Sequence, residues 1–542
     1  MPAVVTDQFR ITNAGNFVDS VLNENNSYYV FLGLPNPQGK VGETPAVGFG
    51  RKSDWNTNTP DPTDNLQYLN HYRDTSLFGK KINSSNIRRV VKKHSWVANK
   101  KYDMYRHDYA LSDDPTKNNP TPNAGGGLYN TNYYVITSEF KVYICLDNGG
   151  FGTGNDAKGN GSKDEPTFTD LEPSSAGTSN DGYIWKYLFT VPPSDVIKFD
   201  SIEYIVLPND WSTTTDSQIL AVRESANSDV NKNQIKTVYI KNQGINYGSD
   251  KTYACDIVGD GSGGRVLVTV TDQKITNVVV TSGGSGYTFA QVDLSPLPFN
   301  TATGTRANLI PIIPPSKGHG YDIYTELGAD KVLVYTRFDD TTKDFPTDTH
   351  FAQVGIMKNP DGQGNTGILT TSQFSSTSSI KFEESIGAPP VGGYGVLIGE
   401  GITQNRTINN IDVTARGTVV SYDPETFVLK YIQDRSLNLN PTTNDTTDFT
   451  GINQRGSVVS FGSTEPISST SGTINSKKPN EAFTGITTTI NNKQINLGVN
   501  FTNGLASPEI NKKTGEIIYI DNRKEVTRNI RQKEDVKIIL EF

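Results

Sequence analysis

Two strand-like apolar runs, Tyr183–Val191 and Ile202–Leu207, form the most regular hydrophobic pattern of the chain. They flank a double proline, and because proline lacks a backbone donor and fixes φ, Pro192-Pro193 must end the first strand. Successive strand residues point to opposite faces, so alternation predicts two sets of side chains. One face carries Tyr183, Trp185, Tyr187 and Phe189, and the other carries Ile184, Lys186 and Leu188. Together with Trp211, the aromatic set is a candidate core and interface scaffold, since large rings dominate the energetics of both.

Short apolar runs separated by long polar loops continue along the chain and predict further strands. These runs are Ser27–Leu34, Val135–Leu146, Lys331–Phe338, Phe351–Met357, Tyr394–Ile398, Gly417–Tyr422, Phe427–Ile432, Ile517–Ile520 and Val536–Phe542. Pro424 suits the second position of a turn, which predicts a hairpin around Asp423–Thr426. Only Asn13–Leu22 and Ser84–Val91 are predicted as short helices, the second capped by Ser84 or Ser85.

An internal repeat with an offset of 40 residues lies in the segment 229–316. Its first copy contains Ile235–Ile240, Gly244 and Tyr247, and its second contains Ile275–Val280, Gly284 and Tyr287. Two copies predict a duplicated strand–turn unit that packs on its twin, because a solenoid needs about three or more repeats. The intervening residues predict a hairpin around Gly259–Gly264.

Composition supports a turn-rich β protein. Of 542 residues, 34% are apolar and 20% charged, with 50 Gly and 28 Pro, which disfavours long helices. The 25 Tyr and 23 Phe are too many for a disordered chain. The net charge of −8 argues against a nucleic-acid partner, and we interpret the basic cluster of Arg88–Lys101 as a solvated or protein-facing surface.

Targeting and cysteine patterns add little. Cys145 and Cys255 lie far apart and predict no disulfide framework, and Cys145 is best interpreted as a small buried hydrophobe. The first residues lack a basic region followed by an apolar one, so no signal peptide is expected. No run approaches 18 apolar residues, so no membrane insertion is expected either.

Candidate catalytic, cofactor and metal motifs are weak. None of the five His forms a close ligand pair, and His319 between two glycines is best interpreted as a turn residue that tolerates an unusual φ. The G-x-G-x-x-G strings at Gly259–Gly264 and Gly362–Gly367 predict turns, because no helix follows to bind a phosphate. Asp156, Asn160 and Asp164 form only a weak Ca²⁺ hypothesis. We therefore expect no catalytic residues, no cofactor and no metal.

Several motifs resemble a known family. Asp181–Phe189 (DGYIWKYLF), Pro192-Pro193 and Glu203–Pro208 resemble the core signature of the baseplate wedge proteins of T4-like contractile-tailed phages, and Gly515–Phe542 resembles the final strands of that family. Weaker matches occur in the family's order at Ala3–Phe9, Ile87–Trp96, Tyr133–Asn148 and Phe351–Pro360. The resemblance spans roughly 1–228, 317–360 and 501–542.

The resemblance implies a mainly β fold with a multi-domain β-sandwich core, few short helices and smaller inserted β modules. The implied core is 1–228, 317–360 and 501–542, and the implied modules are 229–316 and 361–500. It also implies a structural, non-enzymatic homodimer in the virion tail, made in the host cytoplasm. There it would assemble with other wedge proteins around the tail hub and take part in the rearrangement at infection. Asp521, Asn522 and Arg523 are predicted to form a turn with an Arg–carboxylate tie, or to contact a neighbouring subunit.

Two alternatives remain open at this point. A receptor- or glycan-binding tail protein would use exposed aromatic and Asn-rich loops such as Pro115–Gly127. A glycan hydrolase would need two carboxylates across a glycosidic bond, and the candidate pairs are Asp113-Asp114, Asp164-Glu165, Asp339-Asp340 and Glu383-Glu384. Neighbouring residues of a strand face opposite sides, which disfavours such pairs.

Overall fold

A computed structural model describes residues 6–34, 55–64, 66–109, 127–227, 232–301, 303–339, 345, 349–364, 367–386, 398–433, 459–469, 472–528 and 532–542. Within these ranges the chain consists mainly of strands, which confirms the predicted mainly β class with several sheets and few short helices. The α-helices are α1 (Asp7–Leu22), α2 (Leu66–Thr75), α3 (Pro193–Phe199), α4 (Ser217–Asn227) and α5 (Ile323–Leu327).

The strands are numbered in chain order. Those up to residue 311 are β1 (Tyr28–Gly33), β2 (Ser76–Lys81), β3 (Ile87–Lys92), β4 (Tyr134–Ile136), β5 (Lys141–Asn148), β6 (Tyr183–Thr190), β7 (Tyr204–Val206), β8 (Val238–Asn242), β9 (Lys251–Gly259), β10 (Ser262–Thr271), β11 (Lys274–Ser285), β12 (Ala290–Val292) and β13 (Asn308–Pro311). The remaining ones are β14 (Lys331–Phe338), β15 (His350–Lys358), β16 (Gln373–Ser375), β17 (Ser378–Lys381), β18 (Gly401–Ile408), β19 (Ile411–Asp423), β20 (Val428–Gln433), β21 (Ser468–Ser469), β22 (Gly485–Ile490), β23 (Lys493–Phe501), β24 (Leu505–Ala506), β25 (Glu516–Thr527) and β26 (Glu534–Glu541).

The chain divides into two compact units. Unit 1 comprises Met1–Val18, Ile87–Leu333 and Ile538–Phe542, and unit 2 comprises Asp19–Asn86 and Val334–Lys537. The five-segment division predicted from the sequence stays a prediction. The two compact units have other boundaries, but they do not test where an inserted module begins and ends.

The predicted helix over Asn13–Leu22 is confirmed but begins earlier. The Phe9 amide donates to Thr6 Oγ1 (3.3 Å), so Thr6 acts as the N-cap and α1 starts at Asp7. An acidic residue in the first turn also complements the helix dipole. At the other end of the chain, the Phe542 ring packs 5.5 Å from the Phe17 ring within unit 1.

The predicted helix over Ser84–Val91 is wrong. Ser85 donates to the Asn83 side chain through both its amide and its hydroxyl, which forms a turn. The following residues form β3, whose Val90 and Val91 pair with β7. Branched side chains suit a pleated, partly buried surface, and that tertiary pairing outweighs the serine cap.

Unit 1 contains a largely buried three-stranded antiparallel sheet, β4–β5–β6. The run Val135–Leu146 is two strands, because Phe140 takes φ 58° in the turn between β4 and β5. The register of β5 and β6 places Tyr143 opposite Tyr187 and Cys145 opposite Trp185, with two bulges. This sheet therefore carries the aromatic run predicted from the sequence.

Strands β8–β13 form a small barrel-like module in unit 1. One sheet has the order β11–β10–β9–β12, and β13 pairs with β8. Strand β12 lies beside β13 and β11 lies beside β8, so the six strands follow one another in a cyclic order. Alternate residues of β10 (Val266, Val268 and Val270) fill the interior, while Arg265 and Leu267 face outward.

The two copies of the 40-residue repeat adopt matching conformations in this module. The Ile235 amide donates to Gly283 O and the Ile275 amide donates to Gln243 O, each at 3.0 Å, and these positions are related by the repeat offset. Gly244 and Gly284 have φ of 68° and 60°, and a Cβ on either would lie 2.5 and 2.8 Å from the ring of the buried tyrosine three residues on. Glycine is therefore required at the same position of both copies.

Unit 2 contains a five-stranded sheet, β16–β2–β1–β15–β25, and a six-stranded sheet, β21–β18–β19–β20–β17–β24. The predicted hairpin between β19 and β20 is confirmed, with the Asp423 carboxylate accepting from the Glu425 amide and the Thr426 hydroxyl. The predicted strand Tyr394–Ile398 lies outside the described residues, except for its last position, which is in a turn.

Candidate functional site

The five aromatic residues predicted as scaffold are all buried in unit 1. Each of the set, Tyr183, Trp185, Tyr187, Phe189 and Trp211, exposes at most 1% of its surface. The structure therefore places them in the core of the chain itself. A role in contacting a partner stays a prediction. Because the rings are buried, they would support such a contact only indirectly, by fixing the strands whose other residues reach the surface.

The aromatic rings contact one another in two groups along β6. Tyr183 and Trp185 stack with ring centroids 5.3 Å apart, and Tyr102 packs edge-on against both. Tyr183 and Trp185 therefore share a face, as strand alternation requires. Further along the strand, Phe189 packs edge-on against Trp211 at 5.9 Å. Such aromatic pairs contribute about 0.5–1.5 kcal/mol each beyond the area they bury.

Buried polar atoms fix this scaffold as well. The Tyr183 hydroxyl donates to Asn160 O (2.8 Å) and accepts from the Tyr102 amide (2.9 Å). Trp211 Nε1 donates to Tyr321 O at 3.1 Å. Burial raises the pKa of Tyr102 to about 12, and that of Tyr183 further, so both hydroxyls stay neutral donors at physiological pH.

Lys186, predicted on the second face of β6, is also buried. Its Nζ donates to Leu171 O (2.8 Å) in a narrow cleft that Gln234, Lys236 and His319 also line. Burial, with a smaller effect of nearby Lys236, lowers the pKa of Lys186 to about 8, although Glu326 and Glu172 act in the opposite direction. A cation in this position is held at an energetic cost.

His319 lies in a turn, as predicted, but its own φ is not unusual. Gly318 and Gly320 take the positive φ values of 98° and 89°, whereas His319 does not. The imidazole is buried, with Nδ1 2.6 Å from Glu326 Oε1, and the Gly320 amide donates to the other carboxylate oxygen at 2.7 Å. The two glycines thus allow the chain to direct His319 inward against the helix α5.

Asp521, Asn522 and Arg523 lie within β25, so the predicted turn is wrong. The predicted tie exists, with Arg523 Nε 2.6 Å from Asp521 Oδ2, because residues two apart on a strand share a face. Asn522 accepts from Gln353 Nε2 (2.8 Å) and donates to Pro60 O (2.9 Å). Asn522 therefore holds the segment 55–60 on the sheet of unit 2, and the Arg523 side chain, 60% exposed, remains accessible to a neighbour.

The basic cluster Arg88–Lys101 is partly turned toward protein. Arg88 forms a bidentate pair with Asp195 at 2.8 and 2.9 Å, and the Arg89 guanidinium lies 3.9 Å from the centroid of the Tyr324 ring. Lys93 pairs with Asp200 at 2.8 Å. The remaining basic residues, Lys92, Lys100 and Lys101, are exposed, so the cluster is protein-facing in one half and solvated in the other.

The described carboxylates considered for hydrolysis interact with different partners in different places. Asp339 lies 3.3 Å from Lys80 Nζ, and Glu384 lies 2.6 Å from Lys477 Nζ. Asp164 accepts from Ser179, and its neighbour Glu165 accepts from the Ser138 amide. Asp113, Asp114 and Asp340 lie outside the described residues, as does nearly all of the loop Pro115–Gly127.

The Ca²⁺ hypothesis gains no support. The Asn160 side-chain amide donates to Asp181 O at 2.8 Å, and Asp164 is engaged by Ser179. In the ranges that the structure describes, no group of three or more His, Cys, Asp or Glu is placed to hold a metal ion. Across the same ranges, no helix combines the length and apolarity that crossing a membrane requires.

Two sets of buried residues had no clear pattern in the sequence. Trp55 is buried although it lies in a polar stretch, and its Nε1 donates to Arg523 O at 2.7 Å. Arg528 is fully buried, with Nε 2.9 Å from both carboxylate oxygens of Glu534 and its guanidinium 3.8 Å from the Phe345 centroid. The spacing of an Arg and a Glu six residues apart is too common to have identified this pair.

Two isoleucines are unusually exposed on the surface of unit 1. Helix α3 buries Asp195 and Phe199, which are four residues apart, so Ile197 between them faces outward and is 82% exposed. Ile202, in the connection to β7, is 95% exposed. Exposed large apolar side chains are the groups that a protein contact would bury.

The comparisons with known proteins agree with the motif resemblance. Residues 136–270 match the family described as Bacteriophage T4, Gp8. The chain is 25% identical over 229 residues to the baseplate wedge protein gp8 of Enterobacteria phage T4, a match that covers 38% of this chain and 60% of that protein. The chain thus spans less than two thirds of that relative. The resemblance to baseplate wedge proteins is confirmed.

The family match reaches further than the motifs did. It continues past residue 228, the predicted end of the first core segment, and runs to residue 270. It therefore includes β8, which lies in the first copy of the repeat, and also β9 and nearly all of β10, which follow that copy. The aromatic strand β6 and the exposed Ile197 and Ile202 also lie within the matched residues.

Proposed function

We propose that this chain is a structural wedge component of a contractile phage tail baseplate. The observation that carries the proposal is the match to a baseplate wedge protein across the strands that hold the aromatic scaffold. In that role the chain works by holding its place among other wedge proteins around the tail hub and by moving with them at infection. It performs no bond-making chemistry. Localisation in the virion tail, after synthesis and assembly in the host cytoplasm, follows from the same proposal.

A rigid scaffold under an exposed apolar surface suits this role. Helix α3 is held beside β3, because Arg88 pairs with Asp195 and its guanidinium lies 5.2 Å from the centroid of the Phe199 ring. Ile197 and Ile202 project from the elements so fixed. Burying apolar surface stabilises an interface by roughly 25 cal/mol per Å², and large anchors at its centre carry most of the binding energy. We assign Ile197 and Ile202 to the contact with a neighbouring wedge protein.

Co-assembly tests the proposal. The chain would be co-expressed with the other baseplate proteins of its phage, and the complex would be isolated by affinity capture on another wedge protein and by size-exclusion chromatography. We expect the wild-type chain to co-purify, and Ile197→Lys and Ile202→Lys to reduce its recovery. Ile245→Lys is the matched control, because Ile245 is 47% exposed elsewhere in unit 1. Failure of the wild-type chain to join any wedge complex would refute the proposal.

A homodimer is part of the proposal. Light scattering at micromolar concentration measures it directly, and a strictly monomeric species would count against it. Glycan-array binding by the isolated chain, without co-assembly, would favour the receptor-binding alternative. Release of sugar products from host envelope polysaccharide would favour a hydrolase, whose activity Asp339→Asn or Glu383→Gln should then abolish.

A further inference from the structure

The hairpin formed by β22 and β23 is a two-stranded ribbon anchored only at its base. Leu497, Val499 and Phe501 are buried in a cluster with Val428 and Ala506. Toward the tip, the residues on both strands are half-buried or exposed, and Ile486, near the base, is 43% exposed. Two-stranded hairpins are marginally stable alone, and a third strand or a packed face stabilises them.

From Thr487 to Ile490 the outer edge of β22 carries neither a proline nor a charge, and the irregularity in its pairing with β23 is confined to the base, between Gly485 and Thr487. Among the strands that the structure describes, β22 pairs with β23 and with no other. Residues 485–501 contain a single charged residue, Lys493 beside the turn, and no proline. Natural edge strands normally carry prolines, inward charges or bulges in their exposed part, and a strand without them is a site for pairing with another strand.

The hydrogen-bonding direction of this edge follows from the turn. Asn491 and Asn492 have φ of 49° and 59°, so they form a two-residue type I′ turn, and Ile490 and Lys493 form the hydrogen-bonded pair that closes it. Because backbone groups alternate in direction along a strand, Thr488 also faces β23. The amides and carbonyls of Thr487 and Thr489 therefore point to the free edge.

The sequence of β22 is self-complementary across that edge. Residues 486–490 read Ile-Thr-Thr-Thr-Ile, a palindrome centred on Thr488. In an antiparallel pair of two β22 strands with its two-fold axis at Thr488, Thr487 lies opposite Thr489 of the other copy, and these are the residues whose backbone groups are free. Ile486 then lies opposite Ile490, so that apolar groups meet and no like charges do.

We infer that β22 pairs with β22 of a second copy of this chain and joins the two hairpins into one four-stranded sheet. The contact is isologous, as a two-fold interface requires. The inference rests on the proposed homodimeric function and names the element through which two copies meet. A pair of short strands buries less than the roughly 1,200 Å² of a stable interface, so other surfaces of the two copies must add to it, and the strand pairing fixes how the copies meet.

Disulfide trapping tests the pairing directly. In this pairing Thr488 lies opposite Thr488 of the second copy. The two residues form a non-hydrogen-bonded pair with Cα atoms about 4.5 Å apart, a distance that a disulfide can span. Thr487 lies diagonally about 7–8 Å from Thr487 of the second copy, which is too far for a disulfide. Under mild oxidation we expect Thr488→Cys to form a cross-linked dimer roughly ten-fold faster than Thr487→Cys. Background is low because Cys145 and Cys255 are buried. Equal cross-linking of the two variants, or none, would overturn the inference.

A charge variant separates this inference from the proposed function. Thr488→Lys places two ammonium groups opposite each other on the axis, and we expect it to abolish the self-association that analytical ultracentrifugation detects at high concentration. Gln494→Lys, on the other strand of the same hairpin, should leave the association unchanged, and circular dichroism checks that both variants fold. If Thr488→Lys still self-associates like wild type, the pairing is refuted, while co-assembly of wild type with wedge proteins would leave the proposed function standing.

Discussion

Replacing Lys186 with methionine should stabilise unit 1 at neutral pH. The ammonium group is buried and has one protein hydrogen bond, to Leu171 O, and its pKa falls from 10.5 to about 8 because burial disfavours the charged form. At about 1.4 kcal/mol for each pKa unit, that difference corresponds to about 3 kcal/mol. Methionine has a similar length and no charge, but it leaves the Leu171 carbonyl without its donor at a cost of about 1 kcal/mol. We expect a net gain of about 2 kcal/mol at pH 7.

The sign of the pH dependence follows from linkage. A folded-state pKa below the unfolded value means that wild-type protein is relatively stable above pH 10.5 and loses that stability as the pH falls through about 8. The advantage of Lys186→Met should therefore be full below pH 8, shrink between pH 8 and pH 10.5, and become a small deficit above that range.

Urea unfolding monitored by tryptophan fluorescence measures this difference, since Trp185 and Trp211 are buried near the substitution. Titrations at pH 7 and pH 10 give the free energy of unfolding of both proteins. Lys241→Met is the matched control, because Lys241 is exposed on β8 of the same unit, and an exposed substitution of this kind should change the free energy of unfolding by less than about 0.5 kcal/mol. A variant less stable than wild type at pH 7, or an advantage that stays constant up to pH 10, would refute the reasoning.

Three further substitutions test other parts of the structure. Trp185→Ala removes a fully buried ring and should lower the free energy of unfolding by about 3–5 kcal/mol in urea titrations; a loss below about 1 kcal/mol would contradict the scaffold role. Arg528→Leu should cost about 3–5 kcal/mol because Glu534 stays buried without its partner, and the double replacement of both by leucine should recover most of it; failure of the double variant to recover would count against a charge effect. Burial, with Lys92 and Lys100 nearby, lowers the pKa of His94 to about 4, so wild type should lose up to about 3 kcal/mol as the pH falls from 6.5 to 4, whereas His94→Gln should not; parallel pH profiles would argue against this.

Strand positions could be predicted wherever apolar alternation and turn chemistry agreed. Lys331–Phe338 forms a strand over the predicted residues, and Asp423 organises the turn that Pro424 suggested. The repeat was visible because Gly244 and Gly284 recur with their tyrosines, and each glycine satisfies a backbone requirement that no other residue meets. These features depend on interactions between residues that are close in the sequence, so the sequence alone could predict them.

Other features depend on distant partners and could not be predicted. Ser84–Val91 has a helix cap and a helical spacing, but β7, more than 100 residues away, pairs with it as a strand. Asp521–Arg523 is polar enough for a turn, yet Gln353 on β15 keeps it in a sheet. Alternation places Lys186 on the second face of β6 but does not indicate that it is buried, because lysines are seldom buried and residues such as Gln234 and His319 cover it only in the folded chain.

The barrel-like module begins and ends at one place. The Ile312 amide donates to Thr237 O at 2.9 Å, so the chain leaves the module beside the strand by which it entered. Because its ends adjoin, the whole element can be excised and replaced by a short Gly-Ser bridge, or transplanted into a surface loop of an unrelated host, without stretching either backbone. A chain built in this way can gain or lose the whole module through one insertion or deletion, since the rest of its backbone needs no rearrangement.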